Sequence, residues 1–145
     1  ASDLGMIVTV LYRLENEPSA AAASFTDVVS GQYYTDAVAW ANANGIVTGY
    51  GNGKFGPNDV VTREQLAAIL YRYAQYKKYD VSVGEDTNIL SYADAQSVSA
   101  YAIPAMQWAC GAGIVNGANG KLNPQNNATR AEVAAILMRF CENVK

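Results

Sequence analysis

Three stretches of the chain carry apolar residues at helical spacing. Leu66, Ile69, Leu70 and Tyr73 stand at i, i+3, i+4 and i+7; so do Val133, Ile136, Leu137 and Phe140, and so do Ile7, Val10, Leu11 and Leu14. Each set predicts a helix with one apolar stripe. Burying such a side chain contributes roughly 1.5–3 kcal/mol, so a stripe of four outweighs intrinsic helix propensity. Thr62 with Gln65, and Thr129 with Glu132, have the spacing of a capping box, which sets the helix starts. Shorter helices are predicted upstream, over residues 34–44 and 102–112. Pro104 falls in the first turn of the second, where its missing N–H is harmless. Gly45 and Gly113 occupy the left-handed position that ends a helix, with Ile46 and Ile114 placed for the apolar contact beyond it.

The pattern repeats. Thr62-Arg63-Glu64-Gln65-Leu66-Ala67-Ala68-Ile69-Leu70-Tyr71-Arg72 recurs 67 positions later as Thr129-Arg130-Ala131-Glu132-Val133-Ala134-Ala135-Ile136-Leu137-Met138-Arg139, and residues 5–14 echo it faintly. Glycine-rich loops, residues 45–58 and 113–125, separate the short helix from the long one, and their Asn-Gly pairs favour tight turns. Phe25-Thr26-Asp27 and Tyr92-Ala93-Asp94 open the units. Residues 19–24 and 80–91 read as linking loops. The expected division is a terminal helix of a partial first repeat (residues 1–18), a second repeat (25–79) and a third (92–145). Units repeated at a fixed period bury their apolar faces against neighbours, so the long-helix stripes are expected to meet in a shared centre, with binding sites at the seams.

Composition narrows the chemistry. The chain has 145 residues, half of them apolar, which suits one folded domain. A net charge of −3 gives no bulk attraction for nucleic acid, and no apolar run is long enough to insert in a membrane. There is no histidine, which removes Ser-His-Asp and Cys-His catalysis and the commonest metal sites; no cofactor or metal is expected. Cys110 and Cys141 read as two buried thiols or as one optional disulfide. The N-terminus carries no signal peptide, so an exported protein of this sequence is a processed or excised piece.

Taken in order, the aromatic-x-Asp turn, the helix with Trp-Ala, Gly-Ile-Val-x-Gly, Gly-x-Lys-Phe/Leu, Pro and the Thr-Arg-x-x helix start resemble the S-layer homology repeat of bacterial surface proteins. The resemblance covers residues 25–77 and 92–142, plus a last helix at 4–15. It implies a mainly all-α fold of tandem helix-loop-helix repeats in a pseudo-threefold arrangement, with the first repeat incomplete. It also implies an extracellular place at the cell wall or surface layer. The implied function is non-catalytic: anchoring by an anionic secondary cell wall polysaccharide, often pyruvylated. The alternative is a structural or assembly module that keeps the fold without the glycan. The partial first repeat also suits self-association.

The arginine of the family's Thr-Arg-Ala-Glu motif falls on Arg63 and Arg130. Each stands one residue beyond a cap, where a planar guanidinium beside free helix-start amides suits a carboxylate. The competing reading has each arginine bridging repeats through an acid such as Asp27 or Asp94. Trp40 and Trp108 are sugar-stacking faces at a groove or core residues. Lys54 and Lys121 add pocket charge or are merely solvated. Asn52 and Asn119 donate to sugar oxygens or serve turn geometry. Asp27 and Asp94 join the glycan site or cap their turns. Asp3-Leu4 stands where Thr62-Arg63 does in the second repeat, so a pocket that needs that arginine is expected to be lost.

Overall fold

The computed structural model describes residues 2–145. Within them run five α-helices: α1 Leu4–Leu14, α2 Thr35–Ala43, α3 Arg63–Tyr76, α4 Ile103–Gly111 and α5 Arg130–Asn143. Short 3-10 turns lie at Ser82–Asp86, Ala95–Ser97 and Ala100–Ala102, and pairing of extended chain is confined to isolated bridges among the described residues. The mainly all-α expectation holds. The chain forms two compact bodies, residues 2–60 and 61–145. These cut across the sequence repeats: each body joins the long helix of one repeat to the short helix and loop of the next.

In residues 2–60, α1 packs on α2. Asp3 caps α1, its Oδ1 accepting the Met6 N–H at 2.8 Å. The buried face is Leu4, Ile7, Val8 and Leu11, whereas Val10 and Leu14 are each 40% exposed. The periodicity is right but the expected stripe is out of phase. The helix start docks on the following loop, Leu4 N–H donating to Asp59 O at 3.0 Å and Gly5 N–H to Pro57 O at 2.9 Å, which turns positions 4 and 8 inward. Helix α2 is buried along residues 37–41, and Trp40 meets Tyr12 with ring centroids 5.8 Å apart.

In residues 61–145, all four residues of the α3 stripe are buried. Both capping boxes form, at Thr62–Gln65 and Thr129–Glu132. On α5, Val133, Ile136 and Phe140 are buried while Leu137 is half-buried. Helix α3 packs on α4, and α4 on the turn Ser82–Asp86. Residues 80–91 are therefore more than a linking loop. Gly84 lies so close to α4 that a Cβ there would stand 3.0 Å from the Trp108 Cα, and no sequence periodicity marks such a contact. Tyr71 meets Trp108, and Tyr73 and Tyr79 meet Phe140. These rings serve the interior. Gly45 and Gly113 end α2 and α4 at φ 72° and 74°, as their positions predict. Both cysteines are free thiols; Cys110 is half-buried and Cys141 is exposed, so the expectation of two buried thiols fails at Cys141.

Candidate functional site

The loops that frame the site are fastened from a distance. Asp27 accepts the Phe55 and Gly56 N–H groups at 2.9 and 2.8 Å, and Asp94 accepts those of Leu122 and Asn123 at 2.7 Å each. A second tie repeats as well, Thr26 N–H to Gly53 O and Ala93 N–H to Gly120 O, both 2.8 Å. Both oxygens of each carboxylate are thus committed to loop amides. Asp27 and Asp94 do more than cap their own turns: each binds amides of a loop 28 and 29 residues away. They clamp two loops whose own backbone pairing, among the described residues, includes only short turns such as Tyr50 N–H to Lys54 O and Ala118 with Lys121.

The two clamps are shifted in the same direction. Burial pulls each carboxyl upward, but two loop amides, the residue's own N–H and a neighbouring lysine (Lys54 or Lys121) outweigh it and hold both below the ordinary 3.8. A depressed folded value stabilises the fold above the unfolded value and loses that contribution as pH falls through the folded one. The thermal midpoint is expected to drop on acidification from about pH 6 to below about pH 4, and to drop less in the paired variant D27N/D94N. Thermal scans across that range check this.

The other loop candidates divide similarly. Asn52 Oδ1 accepts the Lys54 N–H at 3.1 Å, and Asn119 holds φ 53° in its turn, so both serve turn geometry. Lys54 and Lys121 are exposed. Trp40 and Trp108 are only 1% and 0% exposed. An indole covered by protein has no face left for a sugar, so both take the core alternative, as large aromatics on short apolar helices commonly do.

Arg63 sits at the first residue of α3, against the third-repeat loop. Its N–H donates to Asn126 O at 3.0 Å, and the Glu64 N–H to Pro124 O at 2.8 Å. The side chain, 11% exposed, donates from Nε to Leu122 O at 2.9 Å and from Nη2 to Asn116 O at 3.4 Å, and Nη1 pairs with Glu132 Oε2. The bridge between repeats is real, but its acid is Glu132 and not Asp27 or Asp94. Glu132 does two jobs, since its Oε1 also accepts the Thr129 N–H at 3.0 Å. Burial pushes Arg63 below its ordinary pKa while Cys110 and Asp94 oppose the shift; a guanidinium remains charged throughout. Burial likewise raises Cys110, with Arg63 opposing.

Beside this ion pair opens a cleft of about 300 Å³, lined by Arg63, the loop residues Val115, Asn116 and Ala118, and Ala131, Glu132, Ala135, Ile136 and Arg139 of α5. Its volume is at the lower end of small-molecule sites. Small and apolar side chains form much of the wall, with two guanidinium groups and an exposed asparagine at the margins. Such a surface suits the mixed face of a sugar: C–H groups against alanine and isoleucine, hydroxyls toward Asn116, an acid toward arginine.

Arg130, the counterpart of Arg63, differs. It is exposed and has no hydrogen bond or ion pair among the described residues. The sequence treats the two arginines as equals; the fold encloses one and leaves the other in solvent.

Three contributors to the cleft carry no mark in the motif: Asn116, Glu132 as an ion-pair partner, and Arg139. The signal for the last two lay in α5 itself, because 132, 136 and 139 share one helical face. Glu64 stands where the third repeat has Ala131. Its buried carboxylate accepts the Ser99 N–H at 2.9 Å and the Ser99 hydroxyl at 2.6 Å, which ties α3 to the chain entering α4.

Comparison with known proteins places the repeats in a family. The S-layer homology domain matches residues 24–67 and 91–134. The chain is 36% identical over 138 residues to an amylopullulanase of Thermoanaerobacterium thermosulfurigenes, covering 92% of this chain and 7% of that protein. It is 34% identical over 125 residues to a surface-layer 125 kDa protein of Lysinibacillus sphaericus, covering 83% and 10%. It is 33% identical over 98 residues to the middle cell wall protein of Brevibacillus brevis, covering 67% and 9%. The chain therefore spans a tenth or less of these relatives. No helix among the described residues is long and apolar enough to cross a membrane. Two complete repeats of this kind fit cell-wall attachment as the general role and the envelope surface as the location, and the chain belongs to the S-layer homology domain family.

Proposed function

We propose that the cleft beside Arg63 binds an anionic secondary cell wall polysaccharide, often pyruvylated, and so anchors the protein that carries this chain. The observation that supports this reading is one concave surface lined by Arg63, Glu132 and Arg139 beside small apolar residues, in which one positive charge is left uncompensated on a protein of net negative charge. Local positive charge of this kind selects an acidic ligand without general affinity for polyanions. Lys121 and Arg130, exposed in the same body as the cleft, are the outer contacts for a longer glycan.

A specific observation favours the second reading, a structural module without glycan. Arg63 is already satisfied by Glu132 and two carbonyls, as a pure inter-repeat bridge would be. Sedimentation with purified cell wall sacculi separates the two. Binding that disappears when the secondary polymer is extracted supports anchoring. Equal recovery with and without sacculi leaves only the structural role.

A further inference from the structure

We infer that Arg139, rather than the motif arginine Arg63, is the residue that receives the ligand's carboxylate. This rests on the proposed glycan reading of the cleft and names its charge-selective contact.

The two guanidinium groups are not equivalent. Arg63 faces Glu132 and spends donors on Leu122 O and Asn116 O, so its charge is neutralised and its fork is committed. Arg139 has one hydrogen bond, from Nη1 to Ile114 O at 3.3 Å, and no ion pair among the described residues. A carbonyl does not cancel a charge. Most of its five donors stay open, in the planar geometry that grips a carboxylate through two bonds.

Position supports the assignment. Glu132, Ile136 and Arg139 follow at i, i+4 and i+7 on α5, so the neutral pair and the open cation are separated by about 10 Å of helix. Ala135 and Ile136 lie between them. A saccharide resting on that apolar step places its acidic substituent at Arg139 and its hydroxyls toward Asn116. The Glu132 carboxylate would repel an acid brought to the Arg63 end. The cleft thus orients an anionic sugar along one direction.

The test uses purified secondary wall polymer, native and with its carboxyl groups reduced to alcohols, in calorimetric titrations of the wild type, R139Q and R139K. The wild type is expected to bind native polymer at least about tenfold more tightly than reduced polymer. R139Q is expected to bind the two forms alike, at the weaker level, with an unchanged melting temperature. R139K keeps the charge but not the fork and falls between; it also serves if R139Q is poorly folded. The inference is overturned if R139Q discriminates between the polymers as well as the wild type does. If the wild type binds neither polymer, the glycan reading itself fails and this assignment falls with it. If the wild type binds both equally, the glycan reading survives and only the carboxylate contact is lost.

Discussion

Replacing Arg63 with alanine is expected to destabilise residues 61–145 by about 2–4 kcal/mol, whereas the same change at Arg130 is expected to cost less than about 0.5 kcal/mol. The truncation leaves the Glu132 carboxylate and the Leu122 and Asn116 carbonyls without their donor. Glu132 is 35% exposed, so water recovers part of its loss, which keeps the figure below that of a fully buried pair. Arg130 is exposed and its side chain supports nothing else among the described residues. Urea unfolding of the two variants measures the difference. A double-mutant cycle with E132Q separates the ion pair from the carbonyl bonds. Equal effects at the two arginines would contradict the asymmetry. Glycan binding is expected to fall in Arg63→Ala as well, because the wall of the cleft loosens. A stability measurement must therefore accompany any binding loss seen there.

Gly49→Ala is expected to be at least as damaging, at about 3–5 kcal/mol in residues 2–60. A Cβ at Gly49 would stand 2.6 Å from Phe25 Cε1 and 2.7 Å from Lys54 O, and the residue holds φ +76°. Neither neighbour can retreat. The ring packs on Phe55, and the carbonyl accepts the Tyr50 N–H at 2.9 Å. Gly53→Ala is the internal control. It has φ +80° but open space around it, so it is expected to cost only about 1 kcal/mol of backbone strain. Thermal melts of the two variants check the contrast, and similar midpoints would show that the aromatic-x-Asp turn does not clamp the loop. Gly117 lies against Tyr92 in the third repeat, so the same close approach bounds the loop that forms the candidate cleft.

Local order was legible wherever a short-range rule sufficed. The capping boxes, the glycine helix ends and the α3 stripe all follow from spacings of a few residues, whereas Asp27 and Asp94 reach amides 28 and 29 residues away. What escaped depended on contacts between segments far apart in sequence. The α1 sequence carries two apolar stripes that share Ile7 and Leu11, and the one with Leu4 and Val8 is buried where the helix start meets the loop at residues 57–59. The turn Ser82–Asp86 is held by α4, against which Gly84 packs. The difference between Arg63 and Arg130 has the same origin, since identical local motifs meet different surroundings. Arg139 belongs to the repeated motif but stands nine residues past the arginine that draws the eye. Only the folded loop at residues 115–118 brings it into the same cleft as Arg63.

The most direct measurement is an NMR titration of the isotope-labelled chain with a short, purified fragment of acidic secondary wall polymer. Perturbed amides are expected to cluster at Val115, Asn116 and Ala118 and along α5 from Ala131 to Arg139, with the Arg139 side-chain N–H signals shifting most. Saturating ligand that leaves those signals unmoved, or a perturbed patch lying wholly elsewhere, would contradict the placement of an acidic glycan in this cleft.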